Sequence, residues 1–166
     1  IGCLTVMLDT KLVGDFTIPN IRSSQDMSLW LMIMKRDITA YGISEVLDSL
    51  KIATCVASNG RPGHVENSLK LTGLYKYFEG RVYTASEHAN PKPDQALFLY
   101  AADKLGFSKD ECVVIEDSIT GVTASVRAGI RVLGLVNMSS RDELIEAGAE
   151  PFTNMHDCLL YTSDAA

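Results

Sequence analysis

From residue 44 onward the chain alternates short β-branched apolar runs with segments whose apolar residues recur at helical spacing. The stretch CVVIEDSITGVTASVRAGIRVLGL, Cys112 to Leu135, shows the unit: strand, acidic loop, helix, strand. Strands alternating with helices at this spacing require right-handed crossovers. They predict an α/β fold, a three-layer, Rossmann-like parallel sheet with helices on both faces.

The remaining segments follow the same logic. Ser44 caps a short helix reaching Leu50, with Val46, Leu47 and Leu50 on one face. IATCVAS is a buried strand ending at Ser58, and NGRPG is a turn. Val65, Leu69 and Thr72 share a helix face that stops at Gly73. GRVYTA is a second strand, and NPKPD breaks the chain before a helix with Phe98, Ala101, Ala102 and Leu105 on its face. ECVVIE is a fully apolar strand before its acid, and the next helix faces inward through Ile119, Val122, Thr123 and Val126, closed by Gly129. Gly121 and Gly129 are expected to let that helix approach the sheet closely. RVLGLV is a further strand, Ser140 and Glu143 form a capping box before Leu144, and EPFTNMHD supplies a last short strand and turn.

In parallel sheets, ligands bind beyond the carboxyl ends of the strands. Ser58 and Asn59, the Lys92 loop, and Glu116 with Asp117 all fall there. Backbone N–H groups at Ser58 and Asn59, with the Ser58 hydroxyl, suit phosphate oxygens, although alone they read as a strand-to-helix turn. Lys92 lies between Pro91 and Pro93, which fix where its ammonium points; alone it serves equally well as a solvated lysine. Adjacent carboxylates at Glu116 and Asp117 repel unless a cation sits beside them, and hard oxygen donors suit Mg²⁺.

Together these segments resemble the phosphatase branch of the haloacid dehalogenase-like hydrolase superfamily, from about residue 42 to 157. ASNG resembles its second motif, with Ser58 on the phosphate. KPD resembles its third, with Lys92 neutralising phosphoryl charge. VVIEDSITGV resembles its fourth, with Asp117 and Glu116 on Mg²⁺. GISEVLDSLK resembles the segment returning from the cap domain. The resemblance implies Mg²⁺-dependent hydrolysis of a small, sugar-phosphate type of phosphomonoester. One aspartate attacks phosphorus to give an aspartyl-phosphate, and a second, two positions on, protonates the leaving oxygen. Both belong to a first motif, Asp-x-Asp after an apolar strand, and nothing before residue 44 fits it. The nearest imitation is CLTVMLDTK, with Asp9 as candidate nucleophile and Lys11 where the acid belongs. In the resembled fold this first strand is central, between those ending at Ser58 and Glu116; Leu4 to Leu8 is expected to fill the slot. The cap that reads the leaving group is missing too, so this chain is expected to be catalytically incomplete.

Residues 1–43 have a separate logic. Ser24 caps a helix whose face is Met27, Trp30, Leu31 and Met34, with Asp26 in its first turn. This resembles the acceptor-side motif of inverting A-type (family 2) glycosyltransferases, which implies Asp26 as general base; a first-turn acid favoured by the helix dipole explains it equally well. The final segment, residues 158–166, CLLYTSDAA, resembles translated sequencing adapter. The division is then 1–43 glycosyltransferase-like, 44–157 a partial phosphatase core and 158–166 an adapter-like tail, a chimera joined near residues 40–46. Residue 1 is Ile, so the gene's true start is expected upstream.

Charge and composition exclude other classes. The net charge is −6 with no basic cluster, which argues against nucleic acid and leaves a small phosphorylated metabolite as the partner. No stretch is apolar for long enough to span a bilayer, no secretory signal is present, and Cys55 and Cys112 lie in apolar runs as buried free thiols. These features point to the cytoplasm. A non-catalytic module binding Mg²⁺ or phosphate stays open as an alternative.

Overall fold

The computed structural model describes Leu47, Asp48 and residues 53–137 and 139–153. The expectations placed on Leu4 to Leu8, Asp9, Asp26, Ser44 and residues 158–166 lie outside these. The order is β1 (Val56–Ser58), α1 (Pro62–Leu71), α2 (Tyr75–Phe78), β2 (Val82–Thr84), α3 (Ala85–His88) and α4 (Ala96–Leu105). After a 3-10 turn (Lys109–Glu111) come β3 (Val113–Glu116), α5 (Ile119–Ala128), β4 (Arg131–Leu135), α6 (Arg141–Glu146) and β5 (Glu150–Phe152).

All strand pairs are parallel, as the alternation requires. β1 pairs with β2 in a two-stranded sheet, and β3, β4 and β5 form a three-stranded one. Each of β1 and β3 has one edge without a strand partner among the described residues. Those are the edges between which the resemblance places the first-motif strand. Ala57 of β1 and Val114 of β3 nonetheless pack in one cluster with Phe98, Ala124, Ala128 and Ile130, so α4 and α5 tie the two sheets together.

The two-residue period of the strands sorts their side chains by face. Val56 and Val82 pack with α1 through Val65 and Leu69, while Ala57 and Tyr83 pack with α4 through Leu97 and Ala101. β1 and β2 therefore carry helices on both faces. Val114 and Val132 of the second sheet pack against Val122 of α5 and Leu144 of α6. On the opposite face Leu133, Leu135 and Phe152 cluster with Val113 and Ile115.

Caps set the helix ends. Pro62 occupies the first turn of α1, where its missing N–H costs no hydrogen bond. α4 and α5 end at Gly106 and Gly129, whose φ values of 80° and 68° are left-handed. Gly129 thus acts as a stop, and only Gly121 provides the close approach expected of both. The box at the start of α6 is complete: the Ser140 hydroxyl accepts from the Glu143 N–H (3.3 Å), and the Glu143 carboxylate accepts from the Ser140 N–H (2.8 Å).

Three expectations about burial need correction. α5 turns Gly121, Val122, Ala124, Ser125 and Ala128 inward and leaves Ile119 and Val126 exposed. Side-chain size decides here, because a helix lying close to a sheet accepts small residues. β1, expected to be a buried strand, is only half-buried along its apolar residues, and the apolar residues of β3 are likewise half-buried. Cys55 and Cys112 are free but only partly buried; burial, and then Cys112 nearby, pushes the Cys55 thiol up to about 11.

Candidate phosphate and metal site

The three polar positions converge where β1 and β3 end. Ser58 closes β1 at 1% exposure, and its hydroxyl oxygen accepts from the Gly60 N–H at 3.0 Å. A serine hydroxyl also carries one proton to donate. That proton has no acceptor among the described residues.

Asn59 does something the sequence reading missed. Its side-chain Nδ2 donates to the Lys92 carbonyl at 3.0 Å, and its Oδ1 accepts from the Lys92 N–H at 2.9 Å. The amide brackets the backbone N–H and C=O of one residue in a loop 33 residues away. Asn59 was expected to offer its backbone to phosphate; its side chain, in addition, positions the lysine.

Lys92 is buried, with its ammonium paired to Glu116 Oε1 and lying 4.8 Å from the centre of the Phe98 ring. The side chains of Lys92 and Glu116 are 4% and 5% exposed. Desolvating such a pair costs several kcal/mol per ion, so it persists only where further hydrogen bonds hold it. Glu116 has such support. Its Oε2 accepts from the Ser118 hydroxyl at 3.0 Å, and the Ser118 oxygen caps α5 by accepting from the Gly121 N–H at 3.1 Å. A Cβ at Gly121 would fall 2.0–2.3 Å from the carboxyl atoms of Glu116, so the carboxylate occupies the space that only glycine leaves. On the far side of the loop, Arg127 donates to the Pro93 carbonyl at 2.9 Å.

Asp117 is 4% exposed, and its backbone carbonyl accepts from the Ser139 hydroxyl at 3.0 Å. No cluster of three or more His, Cys, Asp or Glu able to hold a metal occurs among the described residues. The two carboxylates are nevertheless hard oxygen donors next to each other, and Mg²⁺ keeps several waters and needs only one or two carboxylates. The donor set fits Mg²⁺, with Asp117 and Glu116 as the residues that would hold it; both oxygens of Glu116 also have protein partners.

Ser118, Gly121, Phe98 and Arg127 were not singled out as site residues. Ser118 had a signal in the sequence: a serine three residues before a glycine, after a strand-ending acid pair, is an N-cap positioned beside those acids.

Parallel strands and the loop between α3 and α4 thus bring a hydroxyl, a lysine and two carboxylates to one end of the fold. Residues 33–129 match the profile of the haloacid dehalogenase-like hydrolases. A conserved haloacid dehalogenase-like protein of unknown function from Agrobacterium tumefaciens superposes with a TM-score of 0.72 at 32% identity, covering 89% of this chain and 71% of that one. The phosphorylated carbohydrates phosphatase of Thermotoga maritima is 33% identical over 113 residues, 65% of this chain and 52% of that protein. A Bacillus subtilis protein assigned to teichuronic acid biosynthesis as a glycosyltransferase is 43% identical over 60 residues, 36% of this chain and 24% of that protein. The chain thus spans about a quarter to a half of these two relatives' lengths. It belongs to the haloacid dehalogenase-like hydrolase family.

Proposed function

We propose that residues 44–157 carry the phosphate- and Mg²⁺-binding half of a phosphatase acting on a small phosphomonoester of the sugar-phosphate type. The observation that carries this is the buried convergence of Ser58, Lys92 and Glu116–Asp117 at the ends of β1 and β3. The similarity to a phosphorylated carbohydrates phosphatase supports the substrate class.

The Ser58 hydroxyl donates to a phosphoryl oxygen. The Lys92 ammonium, aimed by Asn59, neutralises charge that builds on the phosphoryl group during transfer. Asp117, with Glu116 beside it, holds Mg²⁺, which when bound offsets the negative charge of phosphate and carboxylates together. The attack on phosphorus needs a nucleophile the chain does not clearly provide. Asp9 is the candidate, yet Lys11 stands two positions on where a proton donor is required. We therefore expect no efficient turnover from these 166 residues.

The test joins binding to turnover in the full chain. Inorganic phosphate should bind in the presence of Mg²⁺, and Ser58→Ala or Lys92→Met should weaken it by at least about tenfold, the loss of one charge-assisted contact. Mg²⁺-dependent hydrolysis of an aryl phosphate should stay at background. Turnover that Asp9→Asn abolishes would overturn the inactive reading and make Asp9 the nucleophile.

A second reading concerns residues 1–43: a glycosyltransferase fragment with Asp26 as its acceptor-side base, joined to the phosphatase core near residues 40–46; a 60-residue similarity to a glycosyltransferase, longer than that segment, supports the family. Amplifying source DNA across codons 35–50 tests the joint. A single molecule spanning it makes the fusion a real gene; none spanning it makes it an assembly of two genes.

A further inference from the structure

We propose that the Lys92–Glu116 ion pair is an interlock that makes phosphate binding depend on the divalent cation. This rests on the phosphate-and-Mg²⁺ reading above. The ammonium that would neutralise phosphate is already neutralised by Glu116, in a pocket where both side chains are at least 95% buried. Phe98 covers the ammonium, and Ser118 and the bare backbone at Gly121 hold the carboxylate in place. Glu116 therefore cannot retreat without losing its seat.

A phosphate reaching Lys92 in this arrangement meets a fixed carboxylate. The attraction to one charge is offset by repulsion from the other, and low local polarity magnifies both. A divalent cation beside Asp117 and Glu116 cancels that repulsion and frees the lysine charge for phosphate. Two ligands that relieve one shared ion pair must assist each other equally, because coupling between binding sites is reciprocal. Glu116 is then more than a metal ligand: it holds the phosphate site closed electrostatically until the metal arrives.

The two roles separate in the absence of metal. If Glu116 only supports Mg²⁺, Glu116→Gln leaves metal-free phosphate affinity unchanged. As an interlock, the same substitution removes the repulsion while keeping an amide to meet Lys92 and Ser118. Metal-free phosphate binding should then tighten by about tenfold, within the usual range of coupling between sites.

Calorimetric titration of inorganic phosphate into the full chain, with and without Mg²⁺ and corrected for magnesium phosphate in solution, gives all the numbers. Wild type should bind phosphate about tenfold more tightly with Mg²⁺ than without, and phosphate should raise Mg²⁺ affinity by the same factor. That pair of wild-type measurements stands even if the variant misfolds. Unchanged metal-free affinity in folded Glu116→Gln, or a wild type indifferent to Mg²⁺, overturns the interlock and leaves the phosphate site standing. No phosphate binding under any condition overturns both.

Discussion

β3 and β4 are neighbours of similar composition with opposite burial. In β4, Val132 to Leu135 are buried throughout; in β3, Val113 to Ile115 are half-buried and the one charged residue, Glu116, is buried. β4 is paired on both edges, β3 on one among the described residues. Ile115 and Leu133 make the contrast sharp: they are in register across the two strands and pack in the same cluster. Between these two strands burial follows the number of strand partners among the described residues and not how apolar the strand is. The buried charge at the end of β3 is tolerated because Lys92 and Ser118 meet it.

The largest effect should separate that pair. Leu133→Ala removes a side chain at 0% exposure and should cost about 2–5 kcal/mol of stability by chemical denaturation. Ile115→Ala, half-buried, should cost less than about 2 kcal/mol. Equal losses would break the comparison and mean that the other edge of β3 is covered in solution. Next in size is Gly134→Ala in β4. The new Cβ would meet the Ala149 Cβ at 2.9 Å and Leu144 Cδ2 at 3.1 Å, an overpacking worth about 1–3 kcal/mol. A neutral result would show that β4 is less tightly packed than its burial implies.

The smallest effect lies at the outer edge of the same sheet. Arg131 at the start of β4 makes a forked pair with Glu150 of β5, both bonds at 2.7 Å. The hydrogen bond from Arg131 holds the Glu150 carboxyl below its ordinary value of 4.5. A lowered folded value stabilises the fold above about pH 4.5 and is lost as pH falls through it. Both side chains are about half exposed, so Glu150→Gln should cost less than about 1 kcal/mol at pH 7 in urea denaturation. The difference from wild type should shrink below pH 4. A loss that persists in acid would mean packing, not charge, is what Glu150 contributes.

Much of this was legible because strands and their terminal polar residues are local signals. The parallel α/β class followed from the alternation, and Ser58, Lys92, Glu116 and Asp117 stand out as polar residues that close an apolar run or interrupt a proline loop. What stayed hidden depends on partners far along the chain. The bracketing of Lys92 by Asn59 links segments 33 residues apart, and nothing in ASNG separates a side-chain role from a backbone one. The inward face of α5 was partly misread: Val122 is buried as expected, but hydrophobicity was followed at Ile119 and Val126 where the small residues Gly121, Ala124 and Ser125 face inward. Half-burial of β1 and β3 was hidden because an apolar run does not report how many strands flank it.

Asn59 carries a consequence of its own. Its amide offers the Lys92 backbone the same donor and acceptor that a neighbouring strand would, so a loop outside the sheet gains one rung of a ladder from a side chain. The spacing between the hydroxyl at Ser58 and the ammonium at Lys92 is gauged by a single planar group. Asparagine alone among short side chains has both halves of that gauge. An aspartate there would turn one rung into two opposed oxygens and let the lysine drift while leaving every strand in place.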